Sequence, residues 1–156
     1  MIKGLSRFVA IPSEEINPTE EQRAKFLEAV LSNKPFFETI KIGDWEITFT
    51  SPSIKDYIQL GNASAEDYEG YLFTATIGKV ERTGDILYVK KRDYSFPDRL
   101  QILEELFENS SILPLVIERW YRYIIVLSKL FSESLDKNFF GNTPSGGQSL
   151  SMESKG

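Results

Sequence analysis

The stretch FFETIKIGDWEITFTSP, residues 36–52, decides the fold class. Around Gly43-Asp44 its residues alternate. Phe37, Thr39 and Lys41 fall on one side of the first segment, and in the second Glu46, Thr48 and Thr50 lie opposite Trp45, Ile47 and Phe49. A period of two is the spacing of side chains on a strand, so the pattern predicts a β-hairpin with strands over about 36–42 and 45–50. Gly-Asp is a usable two-residue turn, although weaker than Asn-Gly. Pro52 ends the second strand. A hairpin alone is marginal in water, so one of its faces has to pack on helices.

Helix signals lie on both sides of the hairpin. Upstream, Asn17 is placed to cap, Pro18 supplies the first helical φ, and Glu20 follows Asn17 by three as in a capping box. Ala24, Phe26, Leu27, Val30 and Leu31 form the apolar stripe, and Asn33 with Pro35 stops a helix over 18–32. Downstream, Ser53 with Asp56 opens a short helix that Gly61 closes. Ser64 with Asp67 opens AEDYEGYLFTATIGKVER, residues 65–82, with Tyr68, Tyr71, Leu72, Ala75 and Ile77 toward the core. Its Gly70, Thr74 and Thr76 are weak helix formers, so burial must hold it. Thr83-Gly84-Asp85 breaks the chain. Residues 86–96 suit a short strand or an extended loop.

Pro97 begins a helix with Leu100, Leu103, Leu106 and Phe107 along one side. Ser111 is placed to cap the last and longest helix, with Pro114 in its first turn. Leu113, Ile117, Trp120, Ile124, Leu127 and Phe131 recur along it at three- and four-residue steps. The expected fold is α+β and mostly helical: an N-terminal helix, one β-hairpin, four helices and a flexible C-terminal tail. Residues 1–16 form an irregular segment and 17–140 a single domain. Residues 141–156 hold four Gly and four Ser and almost no bulky side chains. Such a tail buries too little surface to offset an ordering entropy of ~1–2 kcal/mol per residue.

Composition removes several chemistries. The chain of 156 residues has neither Cys nor His. Zinc sites, Cys nucleophiles, disulfide frameworks and Ser-His-Asp triads all need what it lacks. The net charge of −5 opposes nucleic-acid phosphate. The one basic region, Lys79, Arg82, Lys90, Lys91, Arg92 and Arg99, is interleaved with Glu81, Asp85, Asp93 and Asp98. Gly78-Lys79 resembles the end of a phosphate-binding loop, but Phe73 stands where the first Gly is required and Val80 follows the Lys. Acidic pairs such as Glu66-Asp67 and Glu104-Glu105 sit in first turns or on polar helix faces, where acids serve the helix dipole and solubility. No apolar run approaches the ~20 residues that cross a bilayer. No catalytic residue, metal ligand or cofactor is expected.

The aromatic content is the remaining anomaly: eleven Phe, seven Tyr and two Trp. Part of it belongs to a core. The last helix, however, is apolar on more than one side, with Tyr121, Tyr123, Ile125, Val126 and Leu130 beside its main stripe. Tyr and Trp join large apolar area to a polar tip and are enriched at interfaces. Trp120, Tyr121, Tyr123, Phe131, Phe139 and Phe140 are therefore the candidate partner-binding residues.

DWEITFTSPSIKDYIQLGN (44–62) followed by DYEGYLFTATIGKV (67–80) resembles small bacteriophage tail-morphogenesis proteins. More narrowly, it is similar to baseplate-hub assembly proteins of contractile-tailed phages and to tape-measure tail-assembly chaperones. The resemblance spans about residues 36–130. It implies a non-enzymatic protein that binds other phage tail or baseplate proteins in the host cytoplasm during virion assembly. The alternative is a permanent structural subunit of the tail whose C-terminal residues lace into a neighbouring chain. Homo-oligomers are compatible with either.

Overall fold

The structure is a computed structural model that describes residues 12–90, 94–108 and 110–135. The 141–156 tail, Phe139 and Phe140 lie outside those residues. The expected hairpin is present: β1 (Phe37–Ile42) and β2 (Trp45–Thr50) pair antiparallel with Ile42 opposite Trp45 and Phe37 opposite Thr50. Gly43 has φ +59° at the first turn position, a conformation open to glycine without steric cost. Trp45, Ile47 and Phe49 are buried on one face. On the opposite face Thr39 hydrogen-bonds Thr48 at 3.0 Å and Lys41 pairs with Glu46 across the ladder.

The fold class holds at the level of α+β, but the expected order of one hairpin followed by four helices does not. Helix α1 (Glu20–Leu31) precedes the hairpin, and α2 (Ile54–Gly61) and α3 (Ala65–Thr76) follow it. The helix expected over 65–82 stops at Thr76, and the chain continues as β3 (Ile77–Arg82) and β4 (Asp85–Val89). Four strands thus form one antiparallel sheet in the order β1-β2-β3-β4. The Thr83-Gly84 break is a hairpin turn with φ of 54° and 87°, the pair of positive angles of a type I′ turn.

The physical reason for the error is a β-bulge. Phe49 pairs with Ile77 and Thr48 with Lys79, so Gly78 is an extra residue in β3. The bulge lets Ile77 and Val80, three apart, both lie fully buried. A spacing of three is also the helical spacing, and the two are indistinguishable along the sequence. A Cβ at Gly78 would stand 3.3 Å from Thr50 Cγ2 and 3.4 Å from the Thr48 carbonyl oxygen, so the close strand approach favours glycine.

The remaining helices are α4 (Phe96–Phe107) and α5 (Leu113–Ser134). Two caps differ from expectation. Thr19, not Asn17, caps α1 in a full capping box with Gln22. Asn17 instead accepts from Lys129 Nζ, which also donates to the Ser13 and Ile16 carbonyls and ties the segment before α1 to α5. Ile112 occupies the N-cap of α5 without a side-chain bond, and Ser110 rather than Ser111 accepts from its N–H. Ser53 caps α2 with Asp56, and Ser64 caps α3, as expected.

Helix α5 crosses the buried face of the sheet. Its Val116, Ile117, Trp120, Tyr123, Leu127 and Leu130 join Trp45, Ile47 and Phe49 in one core cluster. Trp120 Nε1 donates to Thr76 Oγ1 at 2.7 Å, at the junction of α3 and β3. Replacing Thr76 by Val keeps the shape and leaves a buried indole N–H unpaired. Thr76→Val is expected to lower unfolding free energy by about 1–3 kcal/mol in a urea titration, and Trp120→Phe in that background to recover part of the loss.

Candidate functional site

Four of the six residues selected from sequence lie among the described residues, and those four are not brought together at the surface. Trp120 is 3% exposed and Tyr123 is 2% exposed. Both belong to the core, and the polar tip of each is used internally: Trp120 on Thr76, and Tyr123 Oη donating to the Phe36 carbonyl at 2.7 Å. Tyr123 also stacks nearly parallel on Phe36, with ring centroids 5.8 Å apart. Tyr121 is half-buried against the same core. Of the four described candidates Phe131, 38% exposed, is the one that stands among the exposed apolar side chains.

Phe131 is one part of a larger apolar surface. Its ring meets Phe26 of α1 edge-on at 5.1 Å and Tyr57 of α2 at 6.4 Å. Around these contacts α1 exposes Leu27, Val30 and Leu31, and α2 exposes Ile54 and Ile58. Helix α2 carries its apolar stripe outward. Ile54, Tyr57 and Ile58 recur at three- and four-residue spacing and face solvent, with Ile54 80% and Ile58 62% exposed, while Asp56 and Leu60 are buried. Sequence reasoning assigned the α1 stripe to the core and left Ile54 and Ile58 out. The amphipathic pattern was there to be seen; which way it faced was not.

Buried Asp56 organises a polar cluster beneath α2. Its Oδ2 accepts from Lys90 Nζ at 2.7 Å and from the Ser53 backbone N–H at 3.0 Å. Lys90 Nζ also donates to the Ala75 carbonyl. Arg99 Nη2 stands 3.7 Å from Asp56 Oδ1, and the guanidinium carbon lies 4.7 Å from the centre of the Phe96 ring. Burial pushes the Asp56 carboxyl up, but the Lys90 ammonium and the Ser53 N–H outweigh it and hold it below the ordinary carboxylate value. Two cavities flank the cluster. One of about 690 Å³ lies at the start of α2, lined by Asn33, Ser51, Lys55 and Lys90 among others. The second, of about 320 Å³, lies between β4 and α4. Arg99 lines both.

The basic region between 79 and 99 is largely paired within the fold. Lys79 meets Glu81, and Arg82 meets Asp44 and stands over the Trp45 ring. Lys90 pairs with Asp56, one nitrogen of Arg99 stands near the same carboxylate, and Lys91 and Arg92 lie outside the described residues. Among the described residues no group of three or more acidic side chains is placed to hold a metal ion. None of the described helices is long and apolar enough to cross a membrane. No family model, no curated protein and no solved structure matches the chain.

The Asp56 carboxyl is depressed in the folded state, so its ion pair stabilises fully above the ordinary Asp pKa of about 3.9 and is lost as pH falls through the lower folded value. Stability measured by denaturant titration is expected to fall with decreasing pH in that acid window. Asp56→Asn is expected to flatten this part of the profile. At neutral pH the same change removes the buried charge that Lys90 and Arg99 share at Asp56 and costs about 3 kcal/mol.

Proposed function

We propose that the protein is a non-enzymatic assembly factor that grips a partner polypeptide on the apolar face built by α1, α2 and the C-terminal half of α5. The observation that carries this reading is the outward stripe of α2, Ile54, Tyr57 and Ile58, joined through Tyr57 to the exposed Phe131. Contiguous exposed apolar side chains on a folded domain mark interaction surfaces, whereas scattered ones carry no message. An amphipathic partner helix fits such a face, because its own apolar stripe buries against the three-helix surface. The setting we propose is bacteriophage tail morphogenesis, with a tape-measure or baseplate-hub component as the partner. Residues 44–62 and 67–80 support that setting by their resemblance to tail-assembly proteins. A chaperone in this role works in the host cytoplasm and leaves before the particle is complete. A permanent tail subunit stays, and mass spectrometry of purified particles separates the two.

The test is co-expression with tape-measure and hub proteins, followed by affinity measurement on any complex formed. Ile54→Asp with Ile58→Asp changes only exposed positions, so stability is expected to shift by no more than about 0.5 kcal/mol per site. Binding is expected to weaken by about 2 kcal/mol or more, as for central contact residues. A complex that forms equally well with the double variant removes the α2 face from the interface and this reading with it.

A further inference from the structure

Among the described residues the ammonium groups of Lys34 and Lys55 form neither an ion pair nor a hydrogen bond. Lys34 lies in the turn after α1 and Lys55 in the first turn of α2, yet both line one cavity, the space of about 690 Å³ at the start of α2. No acid of the lining answers them. Asp56 is the one carboxylate there, and it is buried and held by Lys90. Lys90 is itself engaged, by Asp56 and by the Ala75 carbonyl. The unpaired atoms Arg99 Nε, Arg99 Nη1 and Tyr88 Oη are sealed within the fold, so no molecule in a cavity reaches them. Glu28 of α1 is also without a partner, but it does not line the cavity. Elsewhere on the surface Lys25, Lys41 and Lys79 each face a neighbouring acid. The two exposed lysines are therefore the charges that the fold leaves for a molecule in this space. Ser51 lines it as well; its Oγ accepts from the Phe36 N–H and keeps its own proton for an acceptor.

The cavity and the apolar face of α1, α2 and α5 are continuous. Ile54 belongs to both: it lines the cavity and begins the outward stripe of α2. Leu31, 78% exposed, is the last residue of α1, and Lys34 follows in the turn that leaves it. A chain laid along the stripe meets apolar side chains over most of its length and two uncompensated ammonium groups at one end. Apolar contact alone accepts many helices, whereas charge placed at the end of a stripe selects among them and fixes register. Inorganic phosphate would meet the lysines and leave the stripe unused. A second copy docked face to face would bring two more lysines to the contact, where like charges oppose each other. An occupant that uses both features carries an apolar stripe that ends in acids.

We propose that the partner segment on this face is an acidic amphipathic helix. Its apolar stripe lies on Leu31, Ile54 and Ile58, and a pair of carboxylates at one end of the stripe sits in the cavity against Lys34 and Lys55. The inference rests on the reading of the face as a partner site. The test uses the full chain and three blocked helical peptides of about 18 residues. They share one leucine stripe and differ only in two residues at its end: Glu-Glu, Gln-Gln or Lys-Lys. Affinities are measured by fluorescence anisotropy at low and high salt. The Glu peptide is expected to bind about fivefold more tightly than the Gln peptide, and the Lys peptide more weakly than either, with the differences shrinking at high salt. Lys34→Gln with Lys55→Gln changes exposed, unpaired side chains and leaves the melting curve unchanged. In that variant the three peptides are expected to bind alike. Ile54→Asp with Ile58→Asp is expected to weaken all three. Equal binding of the peptides to the native chain, or a Glu preference that survives the lysine changes, overturns the acidic partner. If the isoleucine changes still weaken binding in that case, the face remains a partner site. Binding of none, or binding indifferent to the isoleucine changes, overturns the reading of the face and the inference with it. A dimer of the free chain that the isoleucine changes disperse assigns the face to a second copy and also overturns the acidic partner.

Discussion

The hydroxyl of Tyr123 and the indole N–H of Trp120 project from one turn of α5 and end in different parts of the fold. One holds the Phe36 carbonyl just before β1, and the other holds Thr76 where α3 becomes β3. Both bonds are buried, so each is electrostatically stronger than its equivalent in water and each is expensive to leave unmade. Together they set the position of α5 over the sheet. With α5 so placed, β2 has its cover, and Phe36, Phe49 and Phe73 meet the rings of Tyr123 and Trp120. Nine of the aromatic side chains are consumed in this core, where the polar tips of Trp120 and Tyr123 are satisfied internally.

What remains outside follows from the rotation of α2. Ser53 and Asp56 form a reciprocal capping box, and the same carboxylate receives Lys90 from the end of β4. Asp56 and Leu60, one turn apart, therefore face inward, and Ile54, Tyr57 and Ile58 face out. A single buried acid thus turns an amphipathic helix with its apolar side toward solvent. The arrangement also places Arg99 between two cavities, with a guanidinium that the fold leaves partly unused.

Much of this was legible in local sequence where one period dominates. The first hairpin, its turn at Gly43-Asp44, and the caps of α2 and α3 follow from alternation and from Ser-x-x-Asp spacing. The second hairpin was misread because the bulge at Gly78 gave a strand the three-residue spacing of a helix. The α1 cap was misplaced by two residues because two boxes overlap there, Asn17 with Glu20 and Thr19 with Gln22, and Lys129, more than a hundred residues away, selects between them.

The candidate contact surface was legible in kind and not in place. That aromatic and aliphatic side chains exceed what a simple stripe needs is visible along α5, but periodicity names a face without saying whether it meets the core or solvent. For Trp120 and Tyr123 that choice depends on acceptors distant in the chain, Thr76 and the Phe36 carbonyl. Local order alone determined the fold class, the first hairpin and the absence of His and Cys chemistry, because those depend on residue identity and short-range spacing. The four-stranded sheet, the outward turn of α2 and the unpaired donors of Arg99 and Tyr88 were decided by tertiary structure, since burial and hydrogen-bond satisfaction exist only between segments remote along the chain.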